Sequence, residues 1–166
     1  MRKLTALCVA SLFCAPLSAQ SYFSELVIFG DSLLDSGNFG RRFTNKLGDG
    51  SGDYTLGPYA NIAPQYLGMA LGLSTDPAVA GGTNYAVGGY ETADILNSIN
   101  GTGLALPAGG AEARPAYLTD HTVDRNALFL IDGGGNDFLN GTAVDQATIV
   151  ASAQTLIAGV SAIDAA

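Results

Sequence analysis

Two short apolar stretches, a strand read over Glu25–Phe29 with the run Leu26-Val27-Ile28-Phe29 and another over Ala127-Leu128-Phe129-Leu130-Ile131, constrain the fold of this chain more than any other feature. A strand with one solvated face alternates apolar and polar residues, whereas an unbroken apolar run of this length is buried on both faces, as in a parallel sheet covered by helices. Each run ends at a polar corner containing glycine: Gly30-Asp31-Ser32 after the first, and Asp132-Gly133-Gly134-Gly135-Asn136-Asp137 after the second. A third extended stretch, over 83–87, closes at Gly88-Gly89. Between these pieces the spacing turns helical. Ile62, Tyr66, Leu67, Met69, Ala70 and Leu71 predict a helix with early prolines, Pro58 and Pro64, running to about Leu73. Ile95, Leu96 and Ile99 predict a helix over 91–99, and residues 143–165 a long amphipathic one. Strands alternating with helices give an α/β class, in which all three corners open on one edge of the sheet, where ligands bind. Only three or four strands are supplied, few for a complete doubly wound domain.

Composition narrows the class. With 166 residues, 48% hydrophobic and 13% charged, the chain is expected to build one domain with a true core. Its first residues read as an export signal: Arg2 and Lys3, an apolar run from Leu4 to Leu17, then Ser18 and Ala19, with cleavage expected after Ala19. Residues 20–166 then form the folded portion. The leader is too short to span a bilayer comfortably, and no later segment is expected to be long and apolar enough to do so. Losing Arg2 and Lys3 moves the formal charge from -8 to -10. Such an acidic surface, with Arg41-Arg42 as the one adjacent basic pair after the leader, excludes a protein built to hold nucleic acid. Cys8 and Cys14 both fall within the leader, so the folded portion has no disulfide and no thiol ligand. The acidic, glycine-rich pieces 49–53 and 132–137 lack the spacing and terminal Glu of a calcium loop, and neither metal nor cofactor is expected. Residues 35–57, rich in Gly, Asp, Ser and Asn, form a long excursion suited to a substrate lid.

The corners carry the chemistry. A serine on a sharp turn after a buried strand is a candidate nucleophile, and Ser32 stands there. Its own backbone N–H opens the next turn, Gly88 lets a backbone N–H come close to a substrate oxygen, and Asn136 brings a side-chain donor. Together Ser32, Gly88 and Asn136 have the parts of an oxyanion hole. Residue by residue, plainer roles stand beside these: Asp31 and Ser32 as helix caps, Gly88-Gly89 as a tight turn, Asn136-Asp137 as loop composition.

Taken in order, Gly30-Asp31-Ser32-Leu33, Asn84-Tyr85-Ala86-Val87-Gly88-Gly89 and Gly134-Gly135-Asn136-Asp137 resemble the first three blocks of the GDSL lipase/esterase family, also called SGNH hydrolases. The resemblance runs from Leu26 to the end of the chain. It implies a three-layer α/β/α sandwich with a flavodoxin-like parallel sheet, incomplete in this chain. It implies hydrolysis of a small-molecule or lipid ester through an acyl-enzyme, with Ser32 as nucleophile and Ser32, Gly88 and Asn136 as oxyanion donors. The extended form, with Asp35, Gly37-Asn38 and Phe138, is similar to the secreted branch that includes autotransporter esterases of Gram-negative bacteria, which implies export to the medium or cell surface and a C-terminal membrane-inserted barrel.

The pattern breaks at the family's fourth block, Asp-x-x-His, which supplies the base and the acid that orients it. The one histidine, His121, precedes the third block and has Leu118 three residues before it. The chain is therefore expected to be the N-terminal portion of a longer esterase and inactive alone; the alternative is a truncated, non-catalytic fragment or surface binding module.

Overall fold

The computed structural model describes residues 22–51, 57–105 and 114–166. The expected leader lies outside the described residues, as does part of the 100–110 connector. Two parallel strands, β1 (Leu26–Phe29) and β2 (Leu128–Ile131), pair in register from Leu26 with Leu128 to Phe29 with Ile131. The 83–87 stretch runs parallel along the other side of β1: Ile28 N–H donates to Thr83 O at 3.0 Å, Tyr85 N–H to Ile28 O at 2.7 Å and Val87 N–H to Gly30 O at 3.0 Å. β1 is thus central, with every residue buried, as its unbroken apolar sequence requires.

Alternation along β1 divides the core into two. Val27 and Phe29 face one side with Tyr85, Val87, Ile95, Ile99, Tyr117 and Ile163, whereas Leu26 and Ile28 face the other with Leu34, Ala86, Leu67 and Leu73. The first side is covered by α2 (Thr92–Asn100), α3 (Tyr117–Asp120) and α5 (Gln146–Asp164), the second by α1 (Ala63–Leu71). This is the three-layer arrangement expected, with a sheet that is small for the class. A fifth helix, α4 (Gly135–Leu139), starts within the third corner, which sequence composition alone presented as loop.

Helix ends follow local chemistry. α1 begins at Ala63-Pro64 and ends at Gly72, where Leu73 N–H reaches back to Gly68 O at 2.8 Å. Asp145 caps α5 by accepting from Thr148 N at 2.9 Å, and Asp94 Oδ2 accepts from Glu91 N at the head of α2. α5 meets α2 at Gly159, where a Cβ would stand 2.6 Å from Ile99 Cδ1.

One expectation is corrected. α5, 19 residues with mean hydropathy 1.4, is by length and composition apolar enough to cross a bilayer, although no segment after the leader was expected to be. Its Ser and Thr residues dilute the apolar pattern without adding charge.

Candidate active site

Because the three strand-like segments run parallel, their corners meet at one edge, and named bonds tie them. Asp35, buried just after the Ser32 turn, accepts from Gly37 N (2.7 Å) and Asn38 N (3.0 Å) through Oδ1, and from Gly88 N (2.9 Å) through Oδ2. Asn38 Nδ2 donates to Asn84 O at 2.8 Å and Ala86 O at 2.7 Å. Asn84, fully buried, returns the link by donating from Nδ2 to Leu34 O at 2.8 Å while its Oδ1 accepts from Ala86 N at 2.9 Å. First and second corners are thus clamped by three buried polar side chains whose bonds reach main-chain groups that would otherwise lack partners.

The third corner is joined in the same way. Asn136 Nδ2 donates to Tyr90 O at 2.9 Å. Asp137 is buried and accepts from Thr92 N (2.9 Å) and Thr92 Oγ1 (2.6 Å) at the start of α2, and from Ser152 Oγ (2.7 Å) on α5. Burial would raise its pKa, but the bonds from Thr92 and Ser152 outweigh it and hold the carboxyl below the usual range. Glu91 adds an exposed tie, accepting from Asn140 Nδ2 and Thr142 Oγ1. Tyr90, whose hydroxyl donates to Ala105 O at 2.8 Å, is pushed up to about 12 by burial and stays neutral.

Ser32 sits at the head of the first turn, closed by Leu34 N donating to Asp31 O at 3.2 Å and Leu33 N to Asp31 Oδ1 at 3.0 Å. Asp31 is thus the capping residue, and Ser32 is left half-exposed with neither its hydroxyl nor its N–H bonded to protein among the described residues. Gly135 brings the third corner beside it: a Cβ there would lie 3.8 Å from Asp31 Oδ2. Ser32, Gly88 and Asn136 therefore lie on corners that the fold brings together.

Gly88 differs from its expected role in one respect, since its N–H is taken by Asp35. A Cβ there would stand 1.8 Å from Phe43 Cε2, so a larger residue would push the Phe43 ring aside. The next residue, Gly89, has φ +91°, a conformation that suits glycine, and its N–H has no protein partner among the described residues. Sequence reasoning passed over Gly89, Phe43 and the clamping roles of Asp35, Asn38 and Asn84; the Gly-Gly pair and the Asp-x-Gly-Asn spacing were the available signals.

His121 is held elsewhere. Its ring stacks on Tyr117 at 4.8 Å between centroids, and Nδ1 lies 3.4 Å from Tyr85 Oη, within the aromatic cluster of Phe29, Tyr85, Tyr117 and Phe129. Among the described residues, no group of three or more His, Cys, Asp or Glu is placed to hold a metal.

A family model described as GDSL-like lipase/acylhydrolase matches residues 26–162. The chain is 41% identical to esterase EstA of Pseudomonas aeruginosa over an alignment of length 175 that covers 85% of this chain and 26% of that protein. It is 37% identical to an uncharacterized protein of the trpE-trpG intergenic region of Pseudomonas putida, over 95% of this chain and 28% of that one. Lipase 1 of Photorhabdus luminescens is 28% identical over 76% of this chain and 18% of its own length. The chain thus spans about a quarter or less of the length of these relatives.

Proposed function

Because this chain belongs to the GDSL-like lipase/acylhydrolase family, we propose that it forms the nucleophile-bearing part of an exported serine esterase. Ser32 Oγ attacks the carbonyl carbon of an ester while a base removes its proton; the carbonyl π electrons move to oxygen, and collapse of the tetrahedral intermediate expels the alcohol and leaves an acyl-serine for water to cleave. The oxyanion is met by Ser32 N–H, by the second N–H of Asn136 and by the Gly88-Gly89 corner, where Gly89 offers the unspent N–H and Gly88 supports it from Asp35. Donors held before reaction need no reorganisation as the charge appears, which is the value of clamping three corners with buried bonds.

The base and its acidic partner are assigned to a part of the longer protein outside these 166 residues. Two observations support this: His121 is engaged with Tyr117 and Tyr85, and the relatives extend far beyond the matched portion. Export through the 1–19 leader and a C-terminal membrane-inserted barrel complete the proposal; the likeness to esterase EstA supports the ester substrate.

The observation that carries the reading is the convergence of the three corners on one sheet edge, the Ser32 and Gly88 corners tied by the Asp35, Asn38 and Asn84 bonds and the Asn136 corner by the Asn136 and Asp137 bonds. The test is hydrolysis of p-nitrophenyl butyrate by the full-length protein and by its Ser32→Ala variant. A fall on the order of a millionfold in turnover is expected; equal rates remove Ser32 from the mechanism.

A further inference from the structure

The 35–57 excursion carries an aromatic ring to the active-site edge that the reaction above does not use. Phe43 packs directly on Gly88, so that a Cβ there would displace its ring, yet 55% of the residue remains exposed. Its position is fixed from both sides. On one side Arg42 Nε donates to Ser36 O at 2.8 Å, tying the chain to the Ser32 loop. On the other, Leu47 N–H donates to Pro58 O and Ala60 N–H to Asn45 O, both at 2.8 Å, making a short antiparallel stem around the Lys46 and Tyr59 pairing. The loop that carries the ring is thus tied on both sides of it, and its half-exposed apolar face stands beside the Gly88 corner, where covering it with an apolar group would gain the free energy of burial.

We propose that Phe43 is a specificity-determining residue: its exposed face is the platform on which the acyl chain of the ester lies when the carbonyl oxygen is held at the Gly88-Gly89 corner. The proposal rests on the reading of Ser32 as nucleophile. A platform, unlike an enclosing wall, sets no upper limit on chain length; it favours longer acyl groups because they cover more of the ring.

The experiment compares kcat/KM on p-nitrophenyl acetate and octanoate for the full-length protein and its Phe43→Ala, Phe43→Leu and Ser32→Ala variants. Phe43→Ala is expected to lower the octanoate value about tenfold and the acetate value by less than about twofold, because only the longer chain reaches the ring. Phe43→Leu should recover most of the octanoate loss. An unchanged octanoate-to-acetate ratio, an equal fall on both esters or a rise on octanoate overturns the platform while Ser32→Ala, inactive on both, leaves the nucleophile standing. Hydrolysis surviving in Ser32→Ala overturns both readings. Thermal unfolding of the Phe43 variants, expected to match the parent, separates a lost platform from a lost fold.

Discussion

The two flanks of this small sheet are held by different physics. At the carboxyl ends of the strands, Asp35, Asn38, Asn84 and Asp137 are all buried, and each bonds at least one group from another segment. Along the outer flank of β2, in contrast, Phe129 and Ile131 are only half-buried and line an open groove of about 340 Å³ with Ala127, Val123, Val160 and Ile163. Apolar packing there is non-directional and tolerates rearrangement, whereas a hydrogen bond of a buried side chain specifies position and is expensive to leave unmade. The directional bonds lie at the edge that carries the Ser32, Gly88 and Asn136 corners.

Four substitutions sharpen or break that contrast. The largest effect belongs to Asn136→Ala in the full-length protein: loss of an oxyanion donor should lower kcat by about two to three orders of magnitude, read by ester hydrolysis, with the fold preserved. An unchanged rate removes Asn136 from the site. Next is Asp137→Ala, which strips three bonds from α2 and α5 and should cost about 3 kcal/mol in urea unfolding. The same carboxylate makes a pH prediction. Its folded pKa lies below the unfolded value near 3.8, so its contribution is fully present above that value and is lost as pH falls through the folded one. The parent should therefore lose stability in this acid window more steeply than Asp137→Asn; parallel acid limbs refute the assignment.

Asn84→Ala comes third, at about 2 to 3 kcal/mol, since it orphans Leu34 O and Ala86 N in the interior. Smallest is Phe129→Leu on the open flank, at about 1 kcal/mol or less, because its surroundings have room to adjust. A cost for Phe129→Leu equal to that of Asn84→Ala would erase the distinction between the flanks.

The contrast also explains what was legible in the sequence. β1 and β2 were readable to within a residue because fully apolar strands have no other stable placement; α5 was readable as a long helix, but its expected amphipathic pattern is weak, since Ile149, Val150, Ile157 and Val160 all remain exposed. The corners at Ser32, Gly88 and Asn136 were visible as glycine-bearing breaks in that pattern. Hidden were the features that depend on partners distant in sequence: Asp35 bonds Gly88 across 53 residues and Asp137 bonds Thr92 across 45, and nothing local in either carboxylate announces it. α4 was missed because two glycines precede it, a third opens it, and its five residues leave no periodicity to detect. Phe43 was hidden for the same reason as the clamps, since its role arises only when the excursion folds back on Gly88.

The central claim, that the three corners form one site around Ser32, is tested most directly by labelling the full-length protein with an alkyl fluorophosphonate and locating the adduct by peptide mass spectrometry. A single adduct on the peptide containing Ser32, absent in Ser32→Ala and strongly slowed in Asn136→Ala, is the predicted result. An adduct on another serine, or labelling that persists in Ser32→Ala, would contradict it.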